Sequence, residues 1–233
     1  MNNISIVTGG SSGLGLAIVN ALLELDHKVC IIARDEEKIQ ATIASLGPLG
    51  KNVSYYAGSV ADEEFVINVF ADLSKRSYYC NYVFNCAGVG VFGNPYNMDF
   101  QKIMTAFMPN TIGLMTMSFE ALRNMTEGGT IINVMSTAAL KGLANESIYC
   151  ASKWAARGFT ESIQAFCKTM NKNKMHVIGV YPGGMKTPFW TPNCGQNPDT
   201  SSFMDPDEVA KDIVYFVLER KTSYHSSLVI ERI

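Results

Sequence analysis

The chain has 233 residues, of which 47% are hydrophobic and 17% charged, a composition that excludes a disordered or collagen-like polymer and suits one domain with a substantial core. Nineteen basic against 21 acidic residues give a net charge of −2, so nothing draws the chain generally to nucleic acid or to an anionic membrane. Six cysteines without a C-x-x-C pair read as reduced thiols of a cytoplasmic protein, three scattered histidines argue against a zinc site, and neither a basic leader, a signal-length apolar segment nor a membrane-spanning helix is expected.

Short β-branched apolar runs alternate with segments of helical period, which predicts a parallel sheet covered by helices on both faces. The first strand, 4–7, runs into Thr8-Gly9-Gly10-Ser11-Ser12-Gly13-Leu14-Gly15 and a helix over 15–25. A strand, glycine-rich turn and helix in that order lets a pyrophosphate approach backbone N–H groups and the positive end of the helix dipole. It is not a P-loop, because Leu16 and Ala17 stand where Lys and Ser/Thr are required. A second strand, 28–33, ends at Ala33-Arg34-Asp35, where a dinucleotide fold reads the adenosine ribose. Arg34 suits a 2′-phosphate, and NADP(H) is therefore favoured over NAD(H). The competing reading makes Asp35 the acid for a free 2′-hydroxyl, although Asp35 also suits the N-cap of a helix over 36–46.

Further strands are predicted over 53–57, 82–85, 130–134, 175–180 and 228–230, and helices over 63–73, 100–124, 148–170 and 206–218. Pro109 should break or kink the long fourth helix, and Asp205 with Pro206 should begin the last one. The sheet is thus expected to have about seven strands in one Rossmann-type, doubly wound domain spanning 1–233. Residues 188–204, rich in Pro, Asn, Ser and Gly, read as a loop at the ligand edge of that sheet. Tyr149 and Lys153 lie four apart on one helix face, and Ser136 follows the fifth strand at the same carboxyl edge.

Together these residues resemble the short-chain dehydrogenase/reductases in their single-domain form. The resemblance rests on the Thr8–Gly15 turn, Asn85-Cys86-Ala87-Gly88, Asn110-Thr111-Ile112-Gly113, Ser136, Tyr149 with Lys153, and Pro182-Gly183 with Thr187. It implies Asn110, Ser136, Tyr149 and Lys153 as catalytic residues. Gly9, Ser11, Ser12, Gly13, Leu14, Gly15, Arg34, Ser59, Val60, Tyr149 and Lys153 would touch the cofactor. Asn85, Ala87 and Gly88 would shape its floor, while Pro182, Gly183 and Thr187 would hold the nicotinamide carboxamide. Two positions depart from the pattern: Cys86 stands where a second Asn is usual, and Ser59 where an Asp usually meets the adenine.

Hydride transfer to a carbonyl leaves an alkoxide that needs a proton from a donor of suitable pKa. Lys153 is expected to lower the Tyr149 phenol toward neutrality, and Ser136 to hold the carbonyl oxygen. A pocket lined by residues 89–92, Leu143, Met185, Phe189 and Trp190 would be apolar and partly aromatic, suiting a small neutral ketone, diketone or aldehyde. The alternatives are an NAD-linked alcohol dehydrogenase of the same family and a non-catalytic NADP(H)-sensing protein. The resemblance also implies a homodimer, or a tetramer, built through the long helices.

Overall fold

The apolar runs form strands that are buried on both faces, and the sheet they build sets the position of everything else. The computed structural model describes residues 2–169, 175–190, 194–219, 223 and 225–233. Its strands are β1 (Asn2–Thr8), β2 (Val29–Ala33), β3 (Val53–Ala57), β4 (Tyr78–Asn85), β5 (Thr130–Val134), β6 (His176–Pro182) and β7 (Ser227–Ile230). They pair in parallel in the order β3-β2-β1-β4-β5-β6-β7, with the crossover between β3 and β4 reversing the direction of travel. The topological switch point therefore falls at the carboxyl ends of β1 and β4, where a ligand crevice is expected.

The helices are α1 (Gly13–Glu24), α2 (Glu36–Ser45), α3 (Glu63–Lys75), α4 (Phe100–Phe107), α5 (Leu114–Asn124), α6 (Ser147–Thr169) and α7 (Pro206–Leu218). Alternate strand residues feed two cores, as strand geometry requires. Val7, Ile31, Phe84, Ile132 and Ile178 pack with α1 and α7, whereas Ile6, Cys30, Ile32, Val83 and Ile131 pack with α3 and α5.

The expected seven-stranded, doubly wound sheet is present, and the differences lie at boundaries. β4 begins four residues before the predicted strand, because Tyr78 to Cys80 pair with Asn2 to Ile4 and Asn81 is the extra residue at the register shift between Ile4 and Ser5. β6 runs on to Pro182, which pairs with Ile230 at the sheet edge. The interruption expected at Pro109 takes the form of a π-helical turn over Met108–Gly113 joining α4 to α5. Proline lacks the N–H that a regular helical turn would use, and a π turn accommodates the missing bond. Residue 170 of the fifth predicted helix and residues 191–193 of the predicted loop lie outside the described residues.

Helix starts divide into two kinds. Asp35, Asp62, Asp99 and Asp205 cap α2, α3, α4 and α7, each carboxylate accepting a backbone N–H of the first turn at 2.8–3.1 Å. Ser12, at the start of α1, makes no such bond, and α1 has no acidic residue in its first turn.

Thr8 ties the two central strand ends together. Its hydroxyl is 1% exposed, accepts the N–H groups of Cys86 and Ala87 at 3.0 Å each, and donates to Phe84 O at 3.4 Å. Thr8→Val keeps the shape and leaves both amides without this partner, so it should lower stability by about 1–3 kcal/mol, read as a lower urea midpoint with an unchanged slope. A midpoint equal to that of the unsubstituted chain would show that the latch contributes nothing.

Candidate active site

The crevice at the switch point is a groove of about 520 Å³. Gly9, Ser11 and Ser12 form one wall, Arg34, Lys38, Ser59 and Val60 its far end, and Ala87 and Gly88 its floor. Gly9 has φ +68°, and a Cβ there would lie 3.1 Å from Ala87 Cα and N, so the turn and floor approach each other only because the side chain is absent. Gly88 is constrained from the other side, where a Cβ would stand 2.9 Å from Asn110 Oδ1 and 3.5 Å from Lys153 Nζ. The residues present fit a dinucleotide: a glycine cradle, first-turn amides without a capping side chain, and a cationic end.

Asp35 is committed as a cap to Lys38 N at 3.0 Å. Arg34 and Lys38 are exposed on the groove, and neither side chain forms an ion pair among the described residues. Lys38 is a groove residue that the sequence reasoning passed over. Its signal was available, because it lies one helical turn beyond Arg34. Ser59 also lines this end, and its hydroxyl accepts Ala61 N at 3.2 Å. Val60 is buried, and Gly113 of the π turn packs on it so closely that a Cβ there would lie 2.4 Å from Val60 Cγ2.

Asn85 does not face the groove with its side chain. Its Nδ2 donates to Asn133 Oδ1 at 2.9 Å and Ser118 Oγ at 3.2 Å, and Asn133 Nδ2 donates in turn to Thr160 Oγ1 at 2.9 Å. This buried network lies beneath the floor and joins β4, β5, α5 and α6. Pro182, Gly183 and Thr187 do not line this groove: Gly183 N donates to Ile230 O at 2.8 Å just beyond Pro182, and Thr187 lies against the glycine turn, with its Cβ 3.3 Å from where a Gly13 Cβ would be. Leu14 and Gly15 are buried in the first turn of α1.

Asn110 is fully buried in the π turn. Its Oδ1 accepts Val89 N at 2.8 Å, while its Nδ2 donates to Val89 O at 3.0 Å and to Ser152 Oγ at 3.0 Å. The amide thus binds the backbone after β4 to α6. Lys153, 5% exposed, donates to Val134 O at 3.3 Å and lies 5.8 Å from the Tyr149 ring centroid. Ser136 follows β5, and its hydroxyl accepts Ala138 N at 3.1 Å.

Tyr149 is 7% exposed beneath Phe92, at 5.1 Å between ring centroids, and Phe189, at 5.7 Å. The expected lowering of its phenol by Lys153 is not what the folded chain produces. Burial under these rings pushes the Tyr149 pKa above the ordinary tyrosine range, with a hydrogen bond involving Ser136 opposing the rise. Burial also pushes the Lys153 ammonium down, to about 8, with the nearby Cys86 thiol acting in the opposite direction. Desolvation is the largest influence on both groups.

Among the described residues no group of three or more His, Cys, Asp and Glu side chains is placed to hold a metal, and no helix is long and apolar enough to cross a membrane. A seven-stranded parallel sheet with a glycine-rich turn at its switch point defines a Rossmann-type fold, the class built to hold dinucleotides. The family model for short chain dehydrogenase matches residues 3–197, and the chain belongs to that family of oxidoreductases. It is 31% identical over 189 residues to the human (Homo sapiens) 3-oxoacyl-[acyl-carrier-protein] reductase, covering 80% of this chain and 77% of that protein. A crystal structure of a short-chain dehydrogenase/reductase from Vibrio parahaemolyticus superposes with a TM-score of 0.84 at 30% identity, covering 99% of this chain and 96% of that one. The closed form of serine dehydrogenase complexed with NADP+ shares the fold at 21% identity, with a TM-score of 0.87 over 97% of this chain and 94% of that one.

The pKa of Lys153 gives a signed prediction. An unfolded chain keeps this proton up to about pH 10.5, so between about pH 8 and pH 10.5 it binds more protons than the folded chain, and stability rises with pH. Measured by urea unfolding against Lys153→Met, the unsubstituted chain should gain about 3 kcal/mol across that window. A difference independent of pH would contradict the burial of a charged lysine.

Proposed function

We propose that the chain is an NADP(H)-dependent reductase of small neutral carbonyl compounds, acting in a reducing cytoplasm. The observation that carries the cofactor preference is the pair Arg34 and Lys38, two groove cations without carboxylate partners among the described residues, beside an Asp35 whose side chain is already a cap. A 2′-phosphate adds about two negative charges at that position, and a guanidinium binds phosphate in a fixed geometry. The free-ribose reading would need Asp35 to leave the first turn of α2.

The bound nicotinamide would supply the hydride. Tyr149 would give its proton to the oxygen of the reduced carbonyl, and Ser136 would hold that oxygen by a hydrogen bond that strengthens as negative charge develops. Lys153 sits one turn along α6 with its ammonium between Val134 O and the Gly88 floor, a place from which it can donate to a ribose and return a proton toward Tyr149. Its pKa of about 8 makes that exchange possible near neutrality. Asn110 positions Val89 and Ser152 around this lysine, and Ser152 Oγ in turn donates to Tyr149 O at 2.8 Å. Such a set suits turnover better than cofactor sensing, which needs no proton donor.

Residues 188–204 form the substrate loop in this reading. Phe189 and Trp190 lie in one aromatic cluster with Phe92 and Tyr149, and the loop's base is closed by Lys186 N to Met204 O at 2.9 Å and Met204 N to Gly184 O at 3.1 Å. The α4–α6 layer exposes Ile103, Ile112, Phe119, Trp154 and Phe166, and we place a homodimer seam there.

Arg34→Ala should lower kcat/KM for NADPH by about 10- to 100-fold while leaving NADH use nearly unchanged, and Lys38→Ala should act in the same direction more weakly. Steady-state kinetics with both cofactors read the difference, and equal losses on both would remove Arg34 from phosphate recognition. Tyr149→Phe should lower kcat at least about 100-fold with cofactor affinity retained. Full activity in that variant, or no reduction of any ketone, diketone or aldehyde by the unsubstituted chain, would overturn the reductase reading.

A further inference from the structure

We infer that the compound reduced at Tyr149 is an uncharged, planar aromatic ketone or aldehyde whose ring takes the place of Phe189 against Phe92 and Trp190. The inference rests on the reading of Tyr149 as the proton donor and names the substrate class of that same site. The reduction adds hydride from NADPH to the carbonyl carbon and the Tyr149 proton to its oxygen, yielding an alcohol and NADP+.

Rings surround the phenol. Phe92 meets Tyr149 edge-on at 5.1 Å and stacks on Trp190 at 5.6 Å with the planes 18° apart. Phe189 meets Tyr149 at 5.7 Å, Phe92 at 6.0 Å and Trp190 at 5.1 Å. Tyr149 is 7% exposed beneath these rings, and in this reading a carbonyl oxygen that reaches its hydroxyl displaces one of them.

The surroundings decide which ring yields. Phe92 is 5% exposed, and its backbone is held by Phe92 N to Cys194 O at 2.8 Å and, next along the chain, Gly93 N to Asn145 O at 2.7 Å. Its carbonyl also lies so close to Gly195, at φ +86°, that a Cβ there would stand 2.3 Å from it. Trp190 is anchored by Nε1 donating to Met185 O at 3.1 Å. Phe189 is partly buried, and among the described residues its side chain packs on Phe92, Tyr149 and Trp190 and over Gly90 with no hydrogen bond to hold it, so it is the ring that yields.

What enters must replace what leaves. An aromatic ring in the Phe189 position restores the quadrupole-matched contacts with Phe92, Tyr149 and Trp190, while a saturated ring of similar size restores only buried area. Charge narrows the class further. Glu146, partly buried one turn before Tyr149, is the acid whose field reaches Tyr149 and Cys150, and its carboxylate makes no hydrogen bond or ion pair among the described residues. Two cations have partners of their own: Arg232 lies over Phe203 and donates to Ser202 Oγ, and Lys153 is buried against Val134 O. An anionic substituent on the substrate would therefore meet like charge.

The test separates binding from turnover. Calorimetric titration of the NADP+ complex, which cannot reduce a ketone, would compare acetophenone, cyclohexyl methyl ketone and para-acetylbenzoate. Acetophenone is expected to bind at least about tenfold more tightly than its saturated counterpart, and para-acetylbenzoate more weakly than acetophenone. Phe92→Leu should bring the two neutral ketones toward equal affinity, and Glu146→Gln should tighten para-acetylbenzoate alone. Equal affinities for the aryl and cyclohexyl ketones in the unsubstituted complex, or no binding of either, would overturn the inference, and that comparison stands even if a variant does not fold. Selective acetophenone binding with no NADPH-dependent reduction would keep the aromatic pocket and overturn the reductase reading. Reduction of both neutral ketones with equal affinity would do the reverse.

Discussion

Helix α1 begins with backbone amides that no capping side chain satisfies, and the rest of the molecule is arranged around that start. Four other helices spend an aspartate on the same task, each at 2.8–3.1 Å from an amide. Leaving α1 uncapped preserves a concentration of positive potential and free donors at one point of the surface. Sheet order brings that point to the switch between β1 and β4. Gly9 lets the turn approach the β4 floor, and Thr8 holds the floor in place from beneath. In the proposed reading a polyanion would bind there, because the fold leaves its own donors for it.

A second constraint governs the chemistry. The π turn at Pro109 carries Asn110 into the interior, where one amide satisfies both backbone groups of Val89 and reaches Ser152 on α6. The loop after β4 and the helix bearing Tyr149 and Lys153 are thereby fixed to each other by three hydrogen bonds from a single side chain. Burial then sets the proton affinities, raising the phenol and lowering the ammonium. In the proposed reaction a lysine with its pKa pushed down to about 8 would suit proton exchange, and a buried tyrosine would hold its proton until negative charge appears on an adjacent oxygen.

Local features were legible in the sequence. The parallel sheet followed from apolar runs of strand length, the glycine turn from its place between strand and helix, and the caps Asp35 and Asp205 from residue type and position. Ser136, at the end of β5, and Tyr149 with Lys153, on α6, lie together at the carboxyl edge where their positions placed them, while Asn110 could be named only from the family resemblance. Features that depend on three-dimensional packing were not legible. Asn85 turns under the floor into a network with Asn133 and Ser118, a direction that no spacing rule specifies. The added length of β4 depends on its partner strand, because Asn81 interrupts the apolar run. The rise in the Tyr149 pKa comes with burial under rings contributed by residues 92 and 189, far from it in the chain, so its direction could not be read from the neighbouring Lys153 alone. Lys38 was missed for a simpler reason: a lysine in the first turn of a helix reads as solvated surface until the groove beside it is seen.

The groove itself can be tested without any reaction. Calorimetric titration with adenosine diphosphate ribose and with its 2′-phosphorylated form probes the α1 amides and the Arg34–Lys38 end directly, with no nicotinamide or substrate present. The account predicts that both bind, that the 2′-phosphorylated form binds at least about tenfold more tightly, and that this margin shrinks as salt is raised. Equal affinities at low salt, or no binding of either compound, would contradict it.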